Sequence, residues 1–378
     1  MLVQHLVSGQ TVTSMNVNYW YDPLAEVLVQ IKPVHQRDSI IVFYRIRSNN
    51  ASATSYILKW EKRESFAQRQ GTGLDAADTL LVSSTWTEGQ FKFSVPVKPW
   101  LFGVKVLNRG TGRNWYFFRQ IESHHPVNGF LTKGNEKLWT SFASAEDRYT
   151  VQGSGSGKAV QFSYYKDNFP TPAPPFIDKE VRMDPFLFPD STFSVLPGSL
   201  IGPFPKEGLY LAQEDTASSF GFSFLVKRSP YPKYNKLGDL KGPLLFVTTR
   251  QENDALGAAG EDKLKFDKII LDITKDRERA KTFMRNFFRR VEYANLYFTS
   301  FKEGWKTDRG MIFIVFGAPD EVQVDGQYET WAYKNPDQEF QFARAGSVYH
   351  PEHSVLVRDK SYSEYWYQTI DLWRKSRF

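Results

Sequence analysis

The chain has 378 residues, 41% of them hydrophobic and 24% charged, so a disordered chain is excluded. It has no cysteine, which excludes disulfides, zinc–thiolate centres and thiol catalysis. A net charge of +6 over this length is not a concentrated basic module, and no nucleic-acid partner is expected.

Aromatic residues reach 16%, which favours strands and ring-lined cores. At about 100–200 residues per domain, the length implies two to four domains. No run reaches the roughly 18 apolar residues of a membrane helix. Met1 to Ser14 lacks a basic n-region and a continuous apolar stretch. The expectation is therefore that an export signal, with or without a lipidated cysteine, precedes this numbering.

Residues 1–120 read as an immunoglobulin-like β-sandwich. Strands are expected at Glu26–Ile31, Ser39–Ile46, Tyr56–Trp60, Thr79–Val82, Gln90–Val95, Gly103–Leu107 and Trp115–Phe118. Turn residues separate them at Asn49-Asn50, Gly71–Gly73, Glu88-Gly89 and Asn108–Gly112. Trp20, Trp60, Trp100 and Trp115 are either core residues or an exposed platform for stacking sugar rings.

Residues 121–272 read as a second β-rich domain with long Pro-rich loops. Strands are expected at Ala159–Tyr165, Gly208–Ala212, Phe220–Val226, Leu244–Thr248 and Lys268–Leu271. Thr171-Pro172-Ala173-Pro174-Pro175, with prolines 185, 189, 197, 203 and 205, breaks any long element; the stretch is a loop or an extended arm. Gly153-Ser154-Gly155-Ser156-Gly157-Lys158 fails as a phosphate loop, because Ala159 follows the lysine and Gln152 stands where a glycine is needed. It reads as a flexible hairpin tip.

Residues 273–378 change period. Ala280, Phe283, Met284, Phe287, Phe288, Val291, Ala294 and Tyr297 fall at helical spacing, with Thr274 as the expected N-cap. Arg279, Lys281, Arg285, Arg289 and Arg290 line the other face, either solvated or anchoring an anionic partner. Next comes Gly304-Trp305-Lys306-Thr307-Asp308-Arg309-Gly310, in which Gly304 suits a positive φ and Arg309 can pair with Asp308 or a later carboxylate. Met311–Phe316 reads as a strand, Gly317-Ala318-Pro319-Asp320 as a turn, and Tyr328–Tyr333 and Glu339–Ala343 as a hairpin around Asn335-Pro336-Asp337. Tyr362–Phe378, with Trp366 and Trp373, is a packed terminal helix or a tail that docks on a partner.

The order of these segments resembles the GWxTD-domain proteins, a family of Bacteroidota. Tyr293-Ala294-Asn295, Gly304–Gly310, Gly317-Ala318-Pro319-Asp320-Glu321, Trp331 within the Tyr328–Tyr333 strand, and Phe340 and Phe342 carry the likeness, over about residues 275–345. Met311 and Ala318 depart from the usual pattern. The resemblance implies an envelope protein of the periplasm or outer membrane, a lipoprotein if the missing leader supplies the anchor. It implies no established reaction. Two readings of the motif compete: a cap-and-turn locking helix to sheet, or a site centred on Asp308 and Arg309.

Chemistry elsewhere is sparse. Six histidines give no triad, and Pro351 breaks the His350-Pro351-Glu352-His353 cluster as a metal motif. No cofactor and no metal is expected.

The fold class is mainly β with a C-terminal α+β module: tandem β-sandwich-like domains, then a helix plus a three-stranded antiparallel sheet. The expected function is non-enzymatic: an interaction or scaffold subunit of an outer-membrane or periplasmic assembly whose partners are other envelope proteins, serving secretion, gliding or outer-membrane biogenesis. The alternative is a carbohydrate-binding protein or a weakly marked hydrolase.

Overall fold

Alternation of apolar and polar residues builds the first unit. Val27, Ile31, Ile40, Val42 and Ile46 point inward from Val27–Gln36 and Ser39–Ser48, which pair with each other and with Thr87–Ser94 in a three-stranded sheet. Opposite lies a sheet of Thr72–Gly73, Tyr56–Arg63, Trp100–Asn108 and Asn114–Ile121, with Thr79–Leu81 also on Tyr56–Arg63. Trp60, Trp100, Phe102, Trp115 and Phe117 fill the space between. The computed structural model describes residues 10–49, 56–74, 79–81, 84–166, 169–177 and 187–377. Expectations placed on residues 1–9 (including His5), Asn50, Val82, Pro185 and Phe378 lie outside the described residues.

A second sandwich follows. One sheet holds Glu136–Lys137, Phe130–Lys133, Tyr149–Gln152 and Leu200–Ile201; the other holds Phe142–Ser144, Phe222–Lys227, Gly208–Gln213, Val160–Lys166 and Ser191–Val195. The expected hairpin tip at Gly153–Lys158 instead connects the two sheets. It is tied down, since the Glu214 carboxylate accepts the Ser154 N–H at 2.8 Å and the Ser154 and Ser156 hydroxyls at 2.6 and 2.7 Å. The Pro-rich stretch is an extended arm: the Ala173 and Pro175 carbonyls accept from Arg358 and from the Asp359 N–H.

Helices dominate from Leu237. These are α1 (Leu237–Leu244), α2 (Arg250–Ala258), α3 (Lys263–Thr274), α4 (Arg277–Phe298), α5 (Asp308–Phe316) and α6 (Tyr362–Arg374). Three strand expectations are corrected here. Leu244–Thr248 is the end of α1 and a following turn, Lys268–Leu271 lies inside α3, and Met311–Phe316 is the body of α5. A short apolar run fits a buried strand and a buried helix equally. Capping decides: Thr249 with Glu252 forms a capping box on α2, and Asp262, Asp276 and Thr307 cap α3, α4 and α5. Asp276 thus replaces Thr274 as the cap of α4; the Thr274 hydroxyl bonds back to the Ile270 carbonyl at 2.9 Å.

The C-terminal sheet has four antiparallel strands where three were expected: Glu321–Val324, Tyr328–Lys334, Asp337–Arg344 and Ser354–Leu356. Its apolar face and the helices share one core, which includes Phe283, Phe287, Phe313, Trp331, Phe340 and Trp373. Val12, Met15, Val17 and Tyr21 belong to that same core. The N-terminal segment lies along the edge strand Glu321–Val324. The Val17 N–H donates to the Val322 carbonyl at 2.9 Å, the Val322 N–H to Asn16 Oδ1 at 3.0 Å, and the Val12 N–H to the Phe66 carbonyl at 3.0 Å. The three units meet around a cavity of about 620 Å³.

Candidate functional site

The turn between α4 and α5 starts with a carboxylate that burial should disfavour. Glu303 is 6% exposed. Its Oε1 lies 3.0 Å from Lys227 Nζ and its Oε2 2.8 Å from Lys306 Nζ, and Tyr234 donates its hydroxyl to it. Burial opposes ionisation, but the two ammonium groups outweigh it and hold the carboxyl down at about 2.

Gly304 has no positive φ, contrary to expectation; contact requires it, since a Cβ there would stand 2.0 Å from the Ala294 carbonyl oxygen of α4. Gly310 is required the same way, since a Cβ there would stand 1.9 Å from the Gly304 carbonyl oxygen. Trp305 is buried, its backbone N–H on Asn295 Oδ1 at 3.0 Å and its indole N–H on the Tyr234 hydroxyl at 2.9 Å. Thr307 donates its hydroxyl to the Gly304 carbonyl at 2.7 Å and accepts the Gly310 N–H at 3.0 Å, opening α5.

Asp308 and Arg309 do not pair with each other. Asp308 Oδ1 meets Arg358 Nη2 at 2.7 Å, and its Oδ2 accepts the Leu356 N–H at 2.8 Å. Arg309 Nη1 lies 3.3 Å from Glu329 Oε2, and its Nη2 donates to the Glu352 carbonyl at 2.9 Å. Glu329 Oε1 also takes the Tyr21 hydroxyl at 2.6 Å and the Trp331 indole N–H at 2.5 Å. Burial alone would lower the Arg309 pKa; Tyr21, Glu329 and Glu352 turn the shift upward.

Behind the turn, Gly317 ends α5 with φ 92°, and its carbonyl accepts the Tyr333 hydroxyl at 2.9 Å; Pro319 is buried. Arg290 faces inward. Its Nη1 donates to the Ile314 and Val315 carbonyls at 3.2 and 3.0 Å and its guanidinium lies 4.7 Å over the Trp373 ring, so it caps the C-terminus of α5. Burial pushes its pKa down to about 10. Arg285 and Arg289 stay exposed on α4. Trp366 and Trp373, 3% and 0% exposed, are core residues of α6; as drawn by the fold they present no docking surface.

Residues 208–375 match the sequence profile of the GWxTD domain. The chain carries a GWxTD domain. The match begins well before the motif, so the strands Gly208–Gln213 and Phe222–Lys227 and helices α1–α3 fall within it. Lys227 and Tyr234, which fix Glu303 and Trp305, come from that earlier part. No curated protein matches the chain. Among solved structures, the chain is similar to one titled "Chaperone-tip adhesin complex is vital for synergistic activation of CFA/I fimbriae biogenesis", at 10% identity, 54% of this chain, 95% of that one and a TM-score of 0.20. It is also similar to trypsin-activated alpha-2-macroglobulin from Escherichia coli, at 9% identity, 56% of this chain, 17% of that one and a TM-score of 0.19. Overlaps this loose bear on neither fold nor function.

Three of the four tryptophans considered as a sugar platform are core: Trp60, Trp100 and Trp115 are 4, 6 and 4% exposed. Trp20 is half-buried with its indole N–H on the Tyr116 carbonyl. Among the described residues no group of three His, Asp or Glu side chains could hold a metal. Around the His350–His353 segment, burial takes His350 down to about 4 and His353 to about 3, and Glu352 pairs with Arg119 at 2.9 Å. Two rings that sequence reasoning passed over, Trp86 and Trp139, line the central cavity. Their isolated positions in loops gave no periodic signal.

Proposed function

We propose that this protein is a non-enzymatic scaffold subunit of a cell-envelope assembly, in the periplasm or at the outer membrane, whose partners are other envelope proteins. One observation carries the reading: the polar side chains of the GWxTD turn are spent on structural partners, inside the turn or on distant parts of the chain. Glu303 ends on Lys227, Thr307 on Gly304 and Gly310, Asp308 on Arg358, and Arg309 on Glu329 beside Tyr21. A nucleophile or general base needs a free lone pair facing a substrate; these groups serve as a joint. A joint of this kind suits a body that holds surfaces at fixed positions.

One such surface supports the reading. Ser191–Val195 is the edge strand of its sheet, and Phe193, Leu196 and Leu200 along it and after it are 39, 63 and 58% exposed. Exposed apolar side chains beside an open strand edge suit a protein partner. The test is affinity purification of the tagged protein from gently solubilised envelopes, followed by mass spectrometry. Envelope proteins recovered in fixed ratio, and lost with Leu196→Asp in a protein that still folds, are the expected result. A chain recovered alone under every mild condition would overturn the proposal.

A further inference from the structure

Strand alternation that buries Val27, Ile31, Ile40, Val42 and Ile46 turns Gln30, Lys32, Arg45 and Arg47 to the opposite face of the first sheet, with Gln30 directly across from Arg45. That face is only partly exposed, each of the four residues being half-buried. It forms one wall of the 620 Å³ cavity, whose other walls come from the second sandwich and the GWxTD domain. The volume is within the roughly 300–1,000 Å³ range of small-molecule sites.

The charge of the lining is unbalanced. Among the described residues it holds six cations, Lys32, Arg45, Arg47, Arg119, Arg309 and Arg344, against two carboxylates, Glu329 and Glu352. Both carboxylates are engaged, with Arg309 and Arg119, and Arg344 pairs with Glu122 at 3.2 Å. Lys32, Arg45 and Arg47 have no carboxylate within ion-pair distance among the described residues. Lys32 donates to the Leu138 carbonyl at 2.8 Å, Arg45 Nε to Gln30 Oε1 at 2.6 Å, and Arg47 Nε is buried with no hydrogen-bond partner. Glu88 and Glu136 act on Arg45 at longer range, and neither lines the cavity. Burial and the neighbouring Arg45 lower Lys32 to about 8, against the opposing pull of Glu352.

The receptor is also preorganised. Arg45 lies against two rings, 4.2 Å from the Trp86 centroid and 4.9 Å from that of Trp139, and Arg47 lies 4.8 Å from Trp86. A guanidinium packed on rings keeps its in-plane donors, the geometry that meets a carboxylate or phosphate two-pronged. The facing wall is apolar, with Phe130, Leu131, Phe222 and Phe224.

We propose that this cavity is a binding site for an amphiphilic small-molecule anion, a phosphate or carboxylate on an apolar body, received by Lys32, Arg45 and Arg47. The full chain is titrated calorimetrically with dihexanoyl phosphatidic acid, with dihexanoyl phosphatidylcholine as the zwitterionic control, and with glycerol 3-phosphate as an anion without a tail. The expected result is binding of phosphatidic acid at least about tenfold tighter than phosphatidylcholine, weakened about tenfold or more by Lys32→Met and by Arg47→Met at an unchanged melting temperature. Phosphatidic acid binding far tighter than glycerol 3-phosphate supports the apolar body; glycerol 3-phosphate binding as tightly overturns that part and leaves a site for a free phosphate. Anions binding no better than phosphatidylcholine overturn the proposal, as do folded variants that bind like the parent. If neither variant folds, the anion-against-zwitterion comparison in the parent protein decides alone.

Discussion

Asp308 and Arg309 are adjacent in the chain but bridge to different strands, and that divergence sets what their loss does. Asp308→Ala leaves Arg358 half-buried without its anion and the Leu356 N–H without an acceptor. Removing one partner of such a pair destabilises by about 3 kcal/mol, to be read as a lower urea midpoint. Asp308→Asn keeps the acceptor for Leu356 and loses about half as much. Glu303 gives a pH dependence with a defined sign. Its folded pKa, about 2, lies below the ordinary glutamate value of 4.5, so its contribution is complete above pH 4.5 and is lost as pH falls toward 2. His125 acts in a higher window: burial takes it from 6.5 to about 4, so the unfolded chain gains its proton first and stability falls between those values. Urea midpoints measured from pH 7 to pH 2.5 therefore decline in two stages. Glu303→Gln shrinks the lower stage, to which Glu352 also contributes, and His125→Gln shrinks the upper one, shared with His350 and His353; midpoints independent of pH from 7 to 4 would contradict the burial of these histidines.

Among the elements, α5 is where sequence reading and structure part company. Met311–Phe316 is apolar at every position, so neither period 2 nor period 3.6 can show in it. The helix follows from what flanks it: Thr307 caps its start, and Gly317 at φ 92° ends it. Thr307→Ala should therefore cost about 1–2 kcal/mol, more than a change at an exposed cap, since its hydroxyl holds both Gly304 and Gly310. Where one face is wet the pattern was readable. Phe283, Phe287, Val291 and Ala294 marked α4 at helical spacing, and the strands of the first sandwich alternate in the same legible way. The residues of the GWxTD turn could be named in advance, but not their partners. Lys227, Glu329 and Arg358 lie far along the chain, and no local spacing connects them. The cavity receptor was hidden for a related reason, because Arg45 and Arg47 look like ordinary outward-facing residues until a second unit covers them.

Across the whole molecule, residues 12–21 join the first sandwich to the last sheet. Tyr21 reaches Glu329, Val17 reaches Val322, and Val12 reaches Phe66. Tyr21→Phe removes one charge-assisted bond, about 1–2 kcal/mol. A chain beginning at residue 23 should lose far more: its C-terminal module should melt as a separate transition, and limited proteolysis should release it. A single cooperative transition in that shortened chain would show that the segment is not a tie. The same arrangement has a consequence for biogenesis. Asn16 and Val322 are 306 positions apart, yet they bond to each other. Residues 12–21 find their seat only after Val322 has been made, so this part of the protein cannot finish folding in chain order as it emerges. Until residues 12–21 dock, the Val322 edge stands open, and the same segment of a neighbouring molecule fits it as well as the chain's own. At high local concentration, ring closure competes with head-to-tail exchange between copies.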